Sequence, residues 1–312
     1  MRIIALFGPT GVGKTAVALA LADLLRARGE DPVAVSADAL QVYTGLETLT
    51  GVATPAEQAR LEHRLVSFLP VDETFSAGRY AQLAHAEIDA LLEAGRRPIV
   101  VGGTGLYVRA ALAELSLRPP APQAVRESWI AELERSGAPA LHGTLLERAP
   151  AVAAGIDPND RQRVVRALEL LDVGELPHAR PLQDVAGTGA EPPRASQLWS
   201  EELRRPTLLA GLTMERAALY AAIDARVDAM LAAGAREEVL RAHAAGASLT
   251  ARKALGFEEL LADDIEAMKR RTRNYAKRQL TWMRKLAGVR AIDVTDREPA
   301  AIAREILAQA PD

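Results

Sequence analysis

The chain of 312 residues contains no cysteine. This absence excludes a disulfide scaffold, a thiolate metal site and a cysteine nucleophile. Long apolar runs are also missing: the first run, Ile3–Phe7, leads directly into glycines, and no stretch approaches the ~20 apolar residues of a membrane span. Nor is there an excess of charge, because 38 basic and 41 acidic residues leave a net charge of -3. We therefore expect a soluble, cytoplasmic protein with no membrane association, and the bulk charge favours no particular partner.

The composition that remains is that of a globular protein, with 49% apolar and 25% charged residues. These proportions supply a full core and exclude a disordered tail protein or a solenoid of polar repeats. At ~150 residues per domain, the length predicts two domains or one large one.

Short apolar runs alternate with helical patterns along the first 100 residues. Strands are predicted at 3–7, 33–36 and 99–101, and helices at 15–28 and 79–94. Such alternation indicates a doubly wound α/β core with a parallel sheet.

The pattern changes after residue 119. Helices are predicted at 122–136, 139–148 and 158–173, followed by a loop rich in Pro and Gly at 174–199. Beyond it, strands are predicted at 207–211 and 291–294, and helices at 214–233, 235–245 and 264–287. The simplest organisation is a core of residues 1–114 and 201–312 that contains a helical insertion at 115–200.

The segment at residues 8–15 matches the phosphate-binding pattern G-x-x-x-x-G-K-[ST]. Its members are Gly8, Pro9, Thr10, Gly11, Val12, Gly13, Lys14 and Thr15. The glycines let consecutive N–H groups point into one concavity, and the following helix adds its positive N-terminus. Lys14 supplies a cation for terminal phosphates, and the Thr15 hydroxyl is the expected Mg²⁺ ligand. The alternative is a glycine turn that merely joins strand to helix. The position of residues 8–15 between a predicted strand and a predicted helix favours the phosphate-binding role, and with it a P-loop NTPase-like, nucleotide-binding core.

A phosphate loop does not identify the reaction, because kinases, ATPases, GTPases and pyrophosphate-releasing transferases all use one. Asp38 is the early carboxylate that follows a core strand, at the sheet edge where α/β proteins bind ligands. Its alternative role is that of an N-cap or turn residue.

Basic residues are concentrated between 269 and 290, where no Asp or Glu occurs. At helical spacing, Tyr275, Gln279, Trp282 and Leu286 share one side, which can pack on the core. The cations on other sides include Lys269, Arg270, Arg273, Lys277 and Arg278. The lack of acidic neighbours favours binding of phosphates, from RNA or from a diphosphate, over a merely solvated face.

A second basic segment opens a predicted helix in the insertion. Asn159 or Asp160 can cap this helix, and Arg163 and Arg166 share a face. Ion pairs with Asp160 and Glu169 explain these arginines as well as nucleic-acid binding does.

Taken together, these segments resemble the tRNA dimethylallyltransferase (tRNA isopentenyltransferase) family over nearly the whole chain. The matching stretches are GPTGVGKT at 8–15, SADALQVY at 36–43, EHRLVSFLPVDETFSAGRY at 62–80, RPIVVGGTGLYVRAAL at 97–112, DPNDRQRVVRALEL at 157–170 and RTRNYAKRQLTWMRK at 271–285. The first is shared with many proteins, whereas the others in this order are more specific.

The resemblance implies transfer of a dimethylallyl group from dimethylallyl diphosphate to the N6 amine of an adenosine next to the anticodon in tRNA, with release of pyrophosphate. It implies that Asp38 is the general base, that Lys14 and Thr10 serve the diphosphate, and that Mg²⁺ is the cofactor. The expected partner is the tRNA anticodon stem-loop, bound by a monomer. Residues that the resemblance assigns to tRNA binding are Asp38, Ala39, Leu40, Gln41, Thr104, Arg126, Gln162, Arg163, Val164, Val165, Arg166, Lys253, Gly256 and Phe257, and we add Arg273, Lys277 and Arg278 from the basic stretch.

Three positions depart from the family pattern. Ala39 stands where Ser is common, Thr54 where Lys is expected before Pro55, and Phe257 where Tyr is common. These changes concern local tRNA contacts rather than the reaction class. The alternatives are an adenylate isopentenyltransferase acting on free nucleotide, a small-molecule P-loop kinase, and an RNA-stimulated NTPase.

Overall fold

A computed structural model describes residues 2–115, 118, 120–176 and 202–309. By internal contacts the chain divides into two compact units. The larger unit comprises Met1–Ser116 and Ser196–Asp312, and the smaller unit comprises Leu117–Ala195. Nearly all of the loop predicted at 174–199 lies outside the described residues.

The larger unit is built on one parallel sheet. Its strands are β1 (Ile3–Phe7), β2 (Pro32–Ala37), β3 (His63–Arg64), β4 (Arg97–Gly102), β5 (Thr207–Thr213) and β6 (Arg290–Asp293). Their order is β3-β2-β4-β1-β5-β6, and all pairs are parallel. The predicted α/β class is confirmed.

Both faces of the sheet are buried. Ile3, Ala5 and Phe7 of β1 belong to one apolar cluster, whereas Ile4 and Leu6 belong to the other. Successive side chains of a strand point to opposite faces, so an unbroken apolar run is what a strand covered on both sides requires. This explains why the short apolar runs of the sequence could be identified as strands.

The helices of the described residues surround the sheet or form the smaller unit. They are α1 (Lys14–Arg26), α2 (Glu47–Thr50), α3 (Pro55–Arg60), α4 (Ala77–Glu93), α5 (Gly105–Leu112), α6 (Gln123–Arg148), α7 (Pro150–Ala153), α8 (Arg161–Asp172), α9 (Arg216–Ala232), α10 (Ala235–Ala244), α11 (Phe257–Leu261), α12 (Ile265–Met283) and α13 (Pro299–Ala308). None of these helices has the length and apolar character of a membrane span.

The register of the sheet determines what meets at its carboxyl edge. Gly102, the last residue of β4, lies opposite both Phe7 of β1 and Ala37 of β2. The segments that follow these three strands begin at Gly8, Asp38 and Gly103, and they therefore emerge side by side. Ligands of open α/β sheets bind at this edge.

Most predicted elements are present, but several short ones were not predicted. The two-residue β3 and the helices α2, α3 and α11 are too short to show a periodic pattern. Thr54, one of the family departures, caps α3: its side chain accepts a hydrogen bond from the Glu57 amide while Glu57 bonds back to the Thr54 amide. A Thr at this position is the residue that a helix starting at Pro55 favours.

The smaller unit is helical as predicted, with α6 packed on α8 around a core that includes Leu141, Leu145 and Leu168. The predicted break between 136 and 139 is confirmed, because Gly137 interrupts α6 with φ 79°. α8 starts at Arg161, and its cap is Asp160, whose carboxylate accepts a hydrogen bond from the Arg163 amide at 3.0 Å.

Two residues assigned to tRNA binding lie inside this core. Val164 and Val165 are 0% and 7% exposed. Their side chains are not exposed for a contact with tRNA in this structure, because an amphipathic helix turns these apolar positions toward α6. Gln162 and Arg163 are exposed at the start of the same helix.

Glu169 of α8 is 1% exposed and holds two arginines. Arg126 Nη1 lies 3.4 Å from one carboxylate oxygen, and Arg166 Nη1 lies 3.1 Å from the other. Arg166 also donates to the Arg118 carbonyl at 3.1 Å, and Arg163 pairs with Asp160 at 3.4 Å. The ion pairs that the sequence left as an alternative are thus present.

Replacing these residues tests how strongly Glu169 anchors the two arginines. Glu169→Ala should lower the free energy of unfolding by about 2–3 kcal/mol, because it removes a buried ionic group and leaves a cavity. Arg126→Ala should cost less than about 1 kcal/mol, because its side chain is 46% exposed and Arg166 still pairs with the carboxylate.

Losing both arginines should cost more than the sum of the single changes, since a buried carboxylate without a partner is strongly unfavourable. Urea unfolding of the four variants measures these differences. Strictly additive losses from the two arginine substitutions would contradict a shared anchor.

Candidate active site

The phosphate loop forms a concavity lined by backbone N–H groups. Gly11 and Gly13 adopt positive φ angles of 83° and 88°, which L side chains rarely adopt. Within the described residues, the amides of Gly13, Lys14 and Thr15 donate no hydrogen bond, as is typical of the first turn of a helix. With the positive end of α1 behind them, these groups form an anion site.

Lys14 is folded back over this loop. Its Nζ donates hydrogen bonds to the carbonyls of Gly8 at 3.0 Å and Pro9 at 2.9 Å. Burial and then the charge of Arg226 lower the pKa of Lys14 to about 8, while the charge of Asp38 opposes them. The cation that the motif predicted therefore holds its proton less firmly than an ordinary lysine does.

Arg226, on α9, is a second cation at the loop that no sequence motif indicated. Its guanidinium occupies the space beside Gly51, where an added Cβ would lie 1.7 Å from Nη2. Burial lowers the pKa of Arg226, while the charges of Asp38 and Glu57 raise it. Lys14 and Arg226 thus converge from two helices on one region.

Asp38 follows the last residue of β2 and faces these cations. Its Oδ1 accepts a hydrogen bond from the Leu40 amide at 2.9 Å, so the turn role expected as the alternative is present. The same carboxylate also acts electrostatically on Lys14, Arg226, Tyr80, Tyr107 and Tyr275. A side chain with these neighbours is a turn residue and part of the site at once.

Aromatic rings surround the carboxylate. Tyr80 and Tyr107 pack with ring centroids 4.8 Å apart, and the Tyr80 hydroxyl donates to the Ser36 carbonyl at 2.9 Å. Burial, followed by the charge of Asp38, raises the pKa of both phenols well above the usual value. These hydroxyls are neutral at physiological pH and leave an apolar wall beside the cations.

Gln41 braces the segment that carries Gly51. It accepts a hydrogen bond from the Ser36 hydroxyl at 2.7 Å and donates one to the Gly51 carbonyl at 2.9 Å. Glu238, buried on α10, accepts from the amides of Thr48 and Leu49 at 3.0 Å each. The side-chain amide of Gln41 is thus engaged inside the protein, and its predicted contact with tRNA would have to replace these hydrogen bonds.

Comparison with known proteins identifies the family. A sequence model described as IPP transferase matches residues 41–286. The tRNA dimethylallyltransferase of Rhodospirillum centenum is 44% identical over 308 residues, covering 94% of this chain and 92% of that protein. The corresponding enzyme of Anaeromyxobacter dehalogenans is 42% identical and covers 98% and 99%. The chain belongs to the IPP transferase family.

Solved structures agree with this assignment. A tRNA isopentenylpyrophosphate transferase from Bacillus halodurans is 32% identical, covers 98% of this chain and 96% of that chain, and superimposes with a TM-score of 0.66. A eukaryotic dimethylallyltransferase acting on tRNA, at 23% identity and a TM-score of 0.73, shares the fold.

The resemblance also assigned Lys253, Gly256 and Phe257 to tRNA binding, and these residues precede or begin α11. Phe257 is 0% exposed and lies in the core, with the Arg252 guanidinium 5.8 Å from its ring centroid. The side chain of Phe257, which the resemblance assigned to tRNA binding, is therefore not exposed for such a contact in this structure. Gly256 is also buried, whereas Lys253 is exposed. Ala39 and Leu40 are partly buried against the core.

The basic helix of this IPP transferase has acidic partners, contrary to the prediction from its sequence. Arg273 pairs with Asp224 at 2.5 Å, and Lys269 pairs with Asp228 at 2.7 Å. Both acids lie on α9, where the composition of residues 269–290 could not reveal them. Lys277 and Arg278 are exposed, and Arg278 lies 5.5 Å from the Tyr275 ring centroid.

The predicted core-facing side of this helix is confirmed for Gln279, which is buried. Leu286 is buried too, but it lies beyond the end of α12 at Met283, four residues short of the predicted end. Gln279 Oε1 accepts a hydrogen bond from the Thr10 amide at 2.8 Å, and the Tyr275 hydroxyl lies 2.6 Å from that of Thr104. Thr10 and Thr104, predicted for different substrates, therefore contact the same helix.

The predicted Mg²⁺ fits the residues present. The described residues contain no group of three or more His, Cys, Asp or Glu placed to hold a metal. Mg²⁺ typically uses one or two protein oxygens together with waters and substrate phosphates. The Thr15 hydroxyl at the start of α1, with the Asp38 carboxylate nearby, is a donor set of this sparse kind.

The pKa of Lys14 predicts a pH dependence of anion binding. Protonated Lys14 attracts the anion, so the affinity for inorganic pyrophosphate should fall as pH rises above about 8. Lys14→Arg keeps its charge over this range and corrects for ionisation of the ligand itself. By calorimetry, the wild-type affinity relative to Lys14→Arg should be constant below neutral pH and about tenfold lower one to two pH units above the pKa. A ratio independent of pH would contradict the role of Lys14.

Because Arg226 lies so close to Gly51, a substitution at Gly51 tests how much this guanidinium contributes to anion binding. An added Cβ would overlap the guanidinium, so Gly51→Ala should displace it and weaken pyrophosphate binding about tenfold, roughly the value of a charge-assisted hydrogen bond. Positive φ should also cost about 1–2 kcal/mol of stability.

Gly45→Ala is the matched control. Gly45 has a φ of 85°, and an added Cβ there would meet nothing within 4 Å. It should lose similar stability while binding pyrophosphate normally. Equal affinities for the two variants would show that the guanidinium does not contribute.

Proposed function

We propose that this protein transfers a dimethylallyl group from dimethylallyl diphosphate to the N6 amine of the adenosine 3′-adjacent to the anticodon in tRNA. The observation that carries the proposal is the convergence of Lys14, Arg226 and the phosphate-loop amides with Asp38 and its aromatic neighbours, in a member of the IPP transferase family. An anion site beside a carboxylate and an apolar wall suits a substrate with a diphosphate and a short allyl group.

The reaction breaks the C–O bond between the allyl carbon and the diphosphate and forms a C–N bond to N6. Pyrophosphate leaves with the electron pair, so negative charge grows at the phosphate loop. Lys14, Arg226 and the loop amides stabilise that charge, and a single preorganised donor of this kind contributes about 3–4 kcal/mol. When bound, Mg²⁺ would be held by Thr15 and would neutralise part of the same charge.

The proton that N6 loses passes to Asp38. The carboxylate is held at the edge of the sheet by its bond to the Leu40 amide. A positioned general base contributes about 10²–10⁴-fold to the rate. The neutral phenols of Tyr80 and Tyr107 exclude water from the allyl group. Water would otherwise compete with the amine for the allyl carbon.

Recognition of the anticodon stem-loop is assigned to exposed cations and to arginines held by an ion pair. Exposed cations supply contacts with phosphates, among them Arg163, Lys253, Lys277 and Arg278. The arginines at positions 126 and 166 are held on Glu169, which lowers the entropy lost when they bind. The target adenine leaves the stack of its loop, at a cost of a few kcal/mol. We further propose a monomer that acts in the cytoplasm.

Mass spectrometry of nucleosides from unmodified tRNA tests the proposal after incubation with the protein, Mg²⁺ and dimethylallyl diphosphate. A C5 increment on adenosine is expected. An increment on free AMP but not on tRNA would indicate an adenylate isopentenyltransferase. Phosphorylation of a small molecule at the expense of ATP, with no increment on either, would indicate a kinase.

Asp38→Asn separates chemistry from binding in the same assay. Asparagine keeps an oxygen for the Leu40 amide, so the turn is preserved. Turnover should fall about 10²–10⁴-fold, whereas pyrophosphate affinity should stay equal or rise because a nearby negative charge is lost. Normal turnover in this variant would exclude Asp38 as the base.

A further inference from the structure

The helices α9 and α12 are joined by a series of side-chain contacts, which we call the α9–α12 ladder. Each contact places a cation of α12 on a side chain of α9, and successive contacts are four residues apart on both helices, so they share one face of each. The numbers rise on α9 as they fall on α12, so the two helices run antiparallel. The pairs are Tyr220 with Lys277, Asp224 with Arg273, and Asp228 with Lys269.

Two contacts of the ladder are close ion pairs. Arg273 Nη1 lies 2.5 and 2.8 Å from the two carboxylate oxygens of Asp224, and Lys269 Nζ lies 2.7 Å from Oδ1 of Asp228. The side chains of Arg273 and Lys269 are only 23% and 15% exposed. Ion pairs that are partly buried are screened less by salt than exposed ones. The acids of α9 therefore account for both cations without any bound phosphate.

The opposite side of α9 contacts the phosphate-binding region. Arg226 lies two residues from Asp224 and from Asp228, so its side chain leaves the helix on the side away from the ladder. Its Nη2 occupies the space beside Gly51, and Cγ1 of Ile223 would lie 2.9 Å from a Cβ added at Gly11 of the phosphate loop. A rotation or shift of α9 would therefore move the guanidinium directly.

The helix α12 is itself attached to the phosphate loop. Gln279, which is 4% exposed, accepts a hydrogen bond from the Thr10 amide at 2.8 Å. The ladder thus refers the position of α9 to the same loop that binds the anion, through a second helix. The guanidinium of Arg226 and the loop amides are carried by separate segments, and this connection fixes one relative to the other.

We propose that the two ion pairs of the ladder position the Arg226 guanidinium relative to the phosphate loop, and thereby set the affinity for a diphosphate. In this assignment Arg273 and Lys269 act through α9. The inference rests on the proposed role of Arg226 in binding the diphosphate, and it does not depend on the acceptor that receives the allyl group.

Replacing both acids removes the ion pairs and leaves α9 helical. Alanine is the best helix former, so Asp224→Ala combined with Asp228→Ala preserves the helix. Loss of two negative charges would by itself raise the affinity for an anion, whereas loss of positioning lowers it. By calorimetry with inorganic pyrophosphate, the affinity should fall about three- to fivefold, the upper range for two pairs of this exposure. An unchanged or higher affinity would overturn the proposal.

The same double substitution in an Arg226→Gln background tests whether the effect passes through the guanidinium. With no guanidinium to position, pyrophosphate affinity should change by less than about twofold. An equal three- to fivefold loss in both backgrounds would overturn the proposal, because a general loosening of the fold does not need Arg226.

A single substitution on α12 approaches the ladder from its other side. Arg273→Gln should weaken pyrophosphate binding about twofold, because one ion pair is lost. Arg270→Gln is the matched control, since Arg270 is an exposed cation of the same helix that lies outside the ladder. It should bind pyrophosphate as the wild type does. Equal losses in the two variants would overturn the proposal in favour of a general effect of charge on α12.

These measurements separate failure of this inference from failure of the proposed function. If Arg226→Gln alone binds pyrophosphate as tightly as the wild type, the guanidinium has no role that positioning could serve, and the inference is overturned. If the wild-type protein adds no C5 group to tRNA, the proposed function fails. The binding measurements still decide the role of the ladder, because their only ligand is pyrophosphate.

Discussion

The site depends on positive charge that is gathered at one edge of the sheet before any anion is present. The charge of Arg226 lowers the pKa of Lys14, burial lowers the pKa of both cations, and both are partly shielded from water. The folded protein accommodates these two cations because Lys14 Nζ donates hydrogen bonds to two loop carbonyls and the negative charge of Asp38 opposes their repulsion. An incoming diphosphate relieves the repulsion, so its binding should stabilise the folded protein as well as prepare it for reaction.

How much of this could be read from the sequence depends on the distance along the chain over which each feature is built. The phosphate loop is formed by eight consecutive residues, and Asp38 follows directly from a strand, so both could be predicted. Arg226 could not, because its place beside Gly51 exists only when α9 packs on a segment 175 residues earlier. Charge counts along 269–290 were misleading for the same reason: Asp224 and Asp228 belong to another helix. Phe257, Val164 and Val165 show that a family motif identifies a stretch of chain without saying which of its side chains reach the surface.

The helix α12 has two structural roles, which its sequence pattern did not distinguish. Its charged side forms ion pairs with α9, which fixes the helix that carries Arg226. Its buried side holds the Thr10 amide and the Thr104 hydroxyl. Displacement of this helix would therefore disturb the second cation, the phosphate loop and the segment after β4 together, so the parts of the site keep a common alignment.

The strand order also fixes the distance between two parts of the site. Because β4 lies between β1 and β2, the starts of the phosphate loop and of the Asp38 segment are separated by two strand spacings, about 9.6 Å. The backbone hydrogen bonds of the β1–β4 and β2–β4 pairs keep this interval nearly constant. The gap between the phosphate loop and Asp38 is therefore set by main-chain geometry. Side-chain substitutions can alter what the interval contains but not the strand spacing that sets its width.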